Sequence, residues 1–333
     1  MANLNIAERR LAQHGRFKQH VRGVEYDLRA STVPTMYGES VVMRLLQRDA
    51  VAMDFVSLGF NESQVKTMHD VLANPHGILL VTGPTGSGKS TTLYAALTHL
   101  NKPERMIITV EDPVEYNIRG INQMQVKPQI GLTFANALRS IVRQDPDVIM
   151  IGEMRDTETA QIAVQSALTG HLVLSTLHTN DAAGSVMRLL DMGVQDYLLT
   201  SAVSAIQAQR LVRTLCSDCR EEYTPIDEVT ERWGLDRFAD GGTVTLHRPV
   251  GCDSCGNTGY AGRLAILEIL MMSNEIRDLV LKRCDVGDIA RLAAEQGMVT
   301  MRDDGLQKAV AGLTTIEEVL RVTPEPASSK DGG

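Results

Sequence analysis

The chain has 333 residues, enough for two or three domains. With 43% hydrophobic and 22% charged residues it can bury a real core, and no apolar run approaches the ~20 residues that a membrane span needs. A formal net charge of −8 argues against a general nucleic-acid-binding surface, while leaving room for a local basic face.

Taken in order, residues 1–50 read as a small α/β piece. A short helix is expected over 6–13, and strands over 23–31 and 40–46, punctuated by Pro34 and Gly38. The segment starts abruptly, as if more of the same domain preceded it. Its first residues carry no apolar signal core, so a cytoplasmic location is expected. Arg29 and Arg44 fall on the two strands, and residue type alone makes them surface charge. A linker follows, then a helix over 63–72 with Val65, Met68 and Leu72 on one face. Asn74-Pro75-His76-Gly77 turns into the next strand.

Residues 78–81 are short, apolar and β-prone. They run into Gly83-Pro84-Thr85-Gly86-Ser87-Gly88-Lys89-Ser90-Thr91, and then a helix to residue 100. Gly83, Gly88, Lys89 and Ser90 match the G-x-x-x-x-G-K-[ST] phosphate loop. Glycines let backbone N–H groups turn inward around a polyphosphate, and the helix start points positive charge the same way. Lys89 is expected at the β/γ-phosphates and the Ser90 hydroxyl on Mg²⁺.

A strand over 106–110 ends in Glu111-Asp112-Pro113-Val114-Glu115. Acids at the carboxyl end of a strand in such a sheet lie where ligand sits, and one can polarise water. A solvated acidic turn is the alternative. A helix over 134–143 and a strand over 148–151 lead to Glu153, placed to hold Mg²⁺ directly or through water. Residues 157–169 form a helix with Ala160, Ile162, Ala163 and Ala167 inward. A strand over 172–176 is bracketed by His171 and His178, which serve either as γ-phosphate sensors or as packing. Helices are expected over 182–192 and 197–215, the second carrying Gln207, Gln209, Arg210 and Arg213.

Cys216, Cys219, Cys252 and Cys255 make two C-x-x-C knuckles whose four thiolates suit a closed, structural Zn²⁺ site, free thiols being the alternative. The stretch between the knuckles must loop out. Cys284 is expected to be helical and buried. Residues 265–322 read as helical, including 267–272, and 324–333 as a disordered tail.

With these residues assembled, the chain resembles the secretion and type IV pilus ATPases over about residues 4–323. The loop from Gly83 to Leu93 resembles the family's Walker A, and Thr109 to Glu115 its aspartate box. The stretch from Arg143 to Asp156 resembles its atypical Walker B with Glu153 for Asp, and Thr169 to Asn180 its histidine box. The tetracysteine segment is similar to that of the assembly and secretion branches. The ending Glu317-Glu318-Val319-Leu320-Arg321 looks more like the type II secretion branch.

The resemblance implies a RecA-like P-loop ATPase core, a partial N-terminal α/β (PAS-like) domain, a zinc subdomain and a C-terminal helical subdomain. The expected division is 1–50 N-terminal domain, 51–70 linker, 71–212 motor, 213–262 zinc subdomain, 263–323 helical subdomain and 324–333 tail. It further implies that Glu115 activates water, Glu111 supports it, Glu153 helps place Mg²⁺, and His171 and His178 couple nucleotide state to movement. Arg29 and Arg44 match arginines that reach phosphates at a subunit boundary, which implies a ring, a homo-hexamer. Family members usually carry a further N-terminal domain that docks on an inner-membrane platform. The expected function is Mg-dependent ATP hydrolysis that powers type II secretion, at the inner membrane through partner proteins and with no nucleic-acid partner. The alternatives are a type IV pilus assembly ATPase, a RecA-like nucleic-acid translocase and a non-catalytic nucleotide-gated scaffold.

Overall fold

The structure is a computed structural model and describes Ala2 and residues 4–21, 24–47, 54–239 and 241–323. The tail at 324–333 and residues 51–53 of the expected linker lie outside the described residues.

An antiparallel meander comes first: β1 (Gln13–Val21), β2 (Val24–Thr35) and β3 (Gly38–Gln47). The helix expected over 6–13 does not form. The Gln13 side chain is wound into a turn instead, its amide donating to the carbonyls of Asn5 at 3.0 Å and Glu8 at 2.6 Å. Residues 54–70 are not a free linker. Phe55 and Phe60 are buried with ring centroids 5.1 Å apart, under α1 (Glu62–Ala73), which Asn61 caps in a reciprocal box with Gln64.

The central layer follows: β4 (Gly77–Thr82), α2 (Lys89–Leu100), β5 (Ile107–Glu111), β6 (Asn122–Gln125), α3 (Phe134–Ile141), β7 (Val148–Ile151), α4 (Thr157–Leu168), β8 (Leu172–Leu177), α5 (Ala182–Asp191), α6 (Asp196–Ala202) and β9 (Val203–Leu215). A small lobe holds β10 (Glu221–Tyr223), α7 (Asp227–Trp233) and β11 (Leu246–Arg248). The chain then adds β12 (Tyr260–Met271) and α8 (Asn274–Leu281), α9 (Val286–Glu295), α10 (Met301–Val310) and α11 (Ile316–Val322).

The main sheet has seven strands in the order β12-β9-β4-β8-β7-β5-β6, parallel except for the edge strand β12. One face packs α1 and α2, and the other α3 to α6, α8 and α9. Strands covered on both faces read as continuous apolar runs, as β4 does.

Two expected helices are strands. The run 203–215 is β9, and 267–272 lies mostly in β12. Both are buried on two sides, so neither shows period-two alternation, and only pairing with β4 and with each other decides their state. The expected boundaries 212/213 and 262/263 fall inside these strands. Beyond them a small core of Leu235, Val244, Leu246, Leu306, Ala309 and Ile316 joins the cysteine lobe to α10 and α11. Cys284 lies in the turn between α8 and α9, half-buried, not in a helix.

Asp304 on α10 ties that helix to α1 and β12. It is fully buried and accepts from Gln64 Nε2 at 2.8 Å, the Leu267 N–H at 2.8 Å and Lys308 Nζ at 2.7 Å. Lys308 also donates to the Ala265 carbonyl at 2.7 Å.

Candidate functional site

Four parallel strands deliver their following residues to one cleft of about 510 Å³. The phosphate loop follows β4, Glu111 ends β5, Glu153 follows β7 and His178 follows β8. This is the carboxyl edge where open α/β sheets take ligand.

Gly83, Gly86 and Gly88 have φ of 149°, 82° and 90°. A Cβ on Gly83 would meet the Gln209 carbonyl at 2.5 Å, so both torsion and space demand glycine there. From β9, the Gln209 amide donates to the Ser87 carbonyl at 2.6 Å and accepts from Thr92 at 2.8 Å. Sequence reasoning placed Gln209 on a helix and missed this brace. Lys89 Nζ donates to the carbonyls of Gly83 at 2.8 Å and Pro84 at 3.1 Å. Burial pulls its pKa down, against the attraction of Glu153. Thr85, Gly86, Lys89, Ser90 and Thr91 line the cleft, while Ser87 is buried beneath it.

Glu111 is only 4% exposed. Burial raises its pKa, and hydrogen bonds from Thr109 Oγ1 at 2.6 Å, Gln123 Nε2 at 3.1 Å and the Tyr94 hydroxyl partly oppose that. It is an internal anchor. Glu115 sits higher, half-buried, in a two-bond clasp by Arg29 at 3.0 and 3.3 Å. The sequence expectation sent Arg29 toward phosphates across a subunit boundary. In this structure it meets the carboxylate of its own chain. Arg16, Arg29 and Arg44 stand directly opposite one another across β1, β2 and β3. Like charges so aligned oppose sheet formation, which makes acidic or phosphate partners for the row a physical need. Arg44 lines the cleft with Lys89 and Glu115.

Glu153 is held by Arg155 at 2.6 Å and faces His178 Nε2 at 3.5 Å. Burial, with Lys89 adding, lowers the His178 pKa, so the ring is neutral near pH 7. His171 is not brought to the site. It precedes β8, roughly 20 Å of strand from the phosphate end, with Nδ1 2.8 Å from the Ser166 carbonyl. The donor set suits Mg²⁺: a hydroxyl from Ser90 and a carboxylate from Glu153 are hard oxygen ligands facing one cleft.

Away from the cleft, the sulfur atoms of Cys216, Cys219, Cys252 and Cys255 all lie within 4.8 Å of one another. The separations of 3.8, 3.9 and 3.8 Å are far beyond a disulfide bond, and match the ~3.8 Å edge of a tetrahedron with Zn–S bonds of ~2.3 Å. Burial pushes the Cys255 thiol up, but the N–H groups of Cys252 and Gly259, each 3.2 Å from its sulfur, hold it at about 6. The donor set fits zinc.

The sheet order, the loop and the acids define a RecA-like P-loop nucleotide-binding protein. Residues 1–321 match the family described as Type II/IV secretion system protein, and the chain belongs to that family. It is 62% identical over 325 residues to the Type II secretion system protein E of Xanthomonas campestris, covering 98% of this chain and 57% of that protein. It is 49% identical to the Type IV pilus assembly ATPase PilB of Thermus thermophilus, over 98% of this chain and 36% of that one. The crystal structure of the pilus retraction motor PilT with bound ADP superposes with a TM-score of 0.68 at 29% identity, covering 95% of this chain and 79% of that one. The chain spans 57% and 64% of the length of the first two secretion relatives it matches. No helix among the described residues is long and apolar enough to cross a membrane.

Proposed function

We propose that this chain carries the motor of a secretion ATPase, hydrolysing ATP with Mg²⁺ to power type II protein secretion. One observation carries the reading: Lys89, Ser90, Glu115 and Glu153 share a single cleft at the carboxyl edge of a parallel sheet. The 62% identity to a type II secretion protein, against 49% to a pilus assembly ATPase, favours the secretion branch.

In this reading the loop N–H groups and the start of α2 cradle the phosphates. Lys89 turns from its loop carbonyls to the β/γ-phosphates. Ser90 and Glu153 hold Mg²⁺, which supplies positive charge against the phosphate oxygens. Glu115 orients and polarises the attacking water, so catalysis is positioning plus electrostatics. Arg29 and Arg44 offer planar, permanent charge for the transferring phosphate. His178 reads the γ-phosphate beside Glu153. We assign the four cysteines to a structural zinc. A homo-hexameric ring acting on an inner-membrane platform from the cytoplasmic side completes the proposal. The domains are then 1–50, 71–212, 213–262 and 263–323, with β9 and β12 shared across the last two boundaries.

The test is ATPase rate per subunit against protein concentration, with and without DNA. A rate that climbs with concentration and ignores DNA is expected, with Lys89→Ala and Glu115→Gln inactive and Glu115→Gln still binding ATP. A fully active Glu115→Gln protein refutes the assignment, and strong DNA stimulation favours a translocase.

A further inference from the structure

The geometry points to Tyr94 as the residue that positions Glu115, an inference that rests on the catalytic reading of Glu115 above. Tyr94 lies on α2, five residues beyond Lys89, and is 6% exposed. Its hydroxyl does three things at once. It donates to Glu111 Oε2, and accepts the N–H of Glu115 at 3.1 Å and, more weakly, of Tyr116 at 3.4 Å. Its ring meets Tyr116 edge-on at 5.8 Å.

Besides the Arg29 clasp on Glu115, two contacts pin the loop from Glu111 to Ile118. Tyr94 holds its middle, and Gln123 holds its end by donating to the Tyr116 carbonyl at 2.9 Å and accepting from the Ile118 N–H at 2.7 Å. The loop's own acid is the partner of the hydroxyl: Glu111 is buried to receive Tyr94. Burial and the nearby Glu111 charge drive the Tyr94 pKa up, so the phenol keeps its proton and stays a donor. The consequence is a rigid path. Lys89 and Ser90 open α2, Tyr94 stands roughly 7 Å further along the same helix, and the backbone of Glu115 hangs from it. Any shift of the phosphate-loop helix moves the water-orienting carboxylate with it. Tyr94 borders the cleft, but its hydroxyl is committed to Glu111 and the Glu115 N–H, so its effect should fall on turnover and spare affinity.

The experiment compares wild-type chain, Tyr94→Phe, Glu115→Gln and the double variant by steady-state ATPase assay and by titration with a fluorescent ATP analogue. Tyr94→Phe keeps the ring and removes the hydroxyl. We expect kcat to fall by about 10- to 100-fold, because misplacement of a reacting group by ~1 Å costs that much, with KM and analogue affinity within about twofold. The double variant should be no slower than Glu115→Gln alone, since the hydroxyl acts only through Glu115. A Tyr94→Phe protein with wild-type kcat overturns the inference while leaving the ATPase reading intact. So does one whose affinity and thermal midpoint fall in step with kcat. A Glu115→Gln protein at the wild-type rate overturns both. As a check free of substitution, amide hydrogen exchange in the wild-type chain should show Glu115 and Tyr116 protected; exchange at the unprotected rate also overturns the inference.

Discussion

Asp304→Ala is expected to be strongly destabilising although it lies away from the cleft. The carboxylate is 0% exposed and the Lys308 side chain only 7%. Truncation orphans the Leu267 N–H, a loss of about 1–3 kcal/mol for a buried donor. It also strands the Lys308 ammonium, where breaking a buried pair costs ~3–5 kcal/mol. Burial already lowers the Lys308 pKa, so the lysine limits this second cost by shedding its proton; neutralisation at pH 7 from ~10.4 takes at most about 5 kcal/mol. The sum is about 4–8 kcal/mol, a large share of the ~5–15 kcal/mol typical of a domain. At ~2–4 °C per kcal/mol, the thermal midpoint should drop by roughly 8–30 °C. Trp233, the chain's one tryptophan, packs on the core shared with α10 and reports the transition by fluorescence. Asp304→Ala/Lys308→Met should recover about half of the loss, because the stranded charge goes with the lysine. A loss under about 1 kcal/mol, or a double variant no better than the single, refutes the account.

Three further outcomes are expected. Cys252→Ser/Cys255→Ser should abolish bound zinc and expose residues 216–259 to limited proteolysis, while nucleotide binding persists; unchanged zinc content by elemental analysis would sink the metal assignment. Burial pushes the Glu318 carboxyl up, but Arg321 and Arg213 outweigh it and hold the pKa near about 2, below its ordinary value. The stability this adds is present above about pH 4.3 and lost as pH falls from there toward 2. Discounted for the half-exposed arginines it is about 1–2 kcal/mol, and Glu318→Gln should flatten that acid limb of a denaturation–pH profile. Gln209→Leu should weaken ATP binding by about tenfold in a nucleotide titration, since the Ser87 carbonyl loses its brace; unchanged affinity would show that the loop holds its own shape.

The loop from Gly83 to Thr91 was legible because its chemistry is local: torsion, strand, helix start and lysine all lie within a few residues. The cysteine cluster was legible because knuckle spacing alone restricts the donor set. Glu111 and Glu115 were found by their place after a strand, yet nothing in the sequence separated a buried anchor from a half-buried carboxylate. Tyr94 and Gln209 were missed because their roles are non-local, their partners lying 17 and 122 residues away. The pairing of Arg29 with Glu115 was not legible, since that partner is 86 residues on. His171 was grouped with His178 because both bracket β8, whereas a strand carries its two ends to opposite edges of the sheet.

The brace from Gln209 also sets an order of events during synthesis. Thr82 waits for the Leu177 carbonyl, 95 residues later, and Ser87 waits for Gln209, 122 residues later. At about 5–20 residues per second, the ribosome leaves the phosphate loop complete in sequence but unbraced for about 6–24 s. A nascent chain arrested before β9 carries the motif without the neighbour that shapes it. On the tenfold effect expected for Gln209→Leu, such a nascent chain should bind nucleotide about tenfold more weakly than the finished one, so that full affinity follows only once most of the sheet has been made.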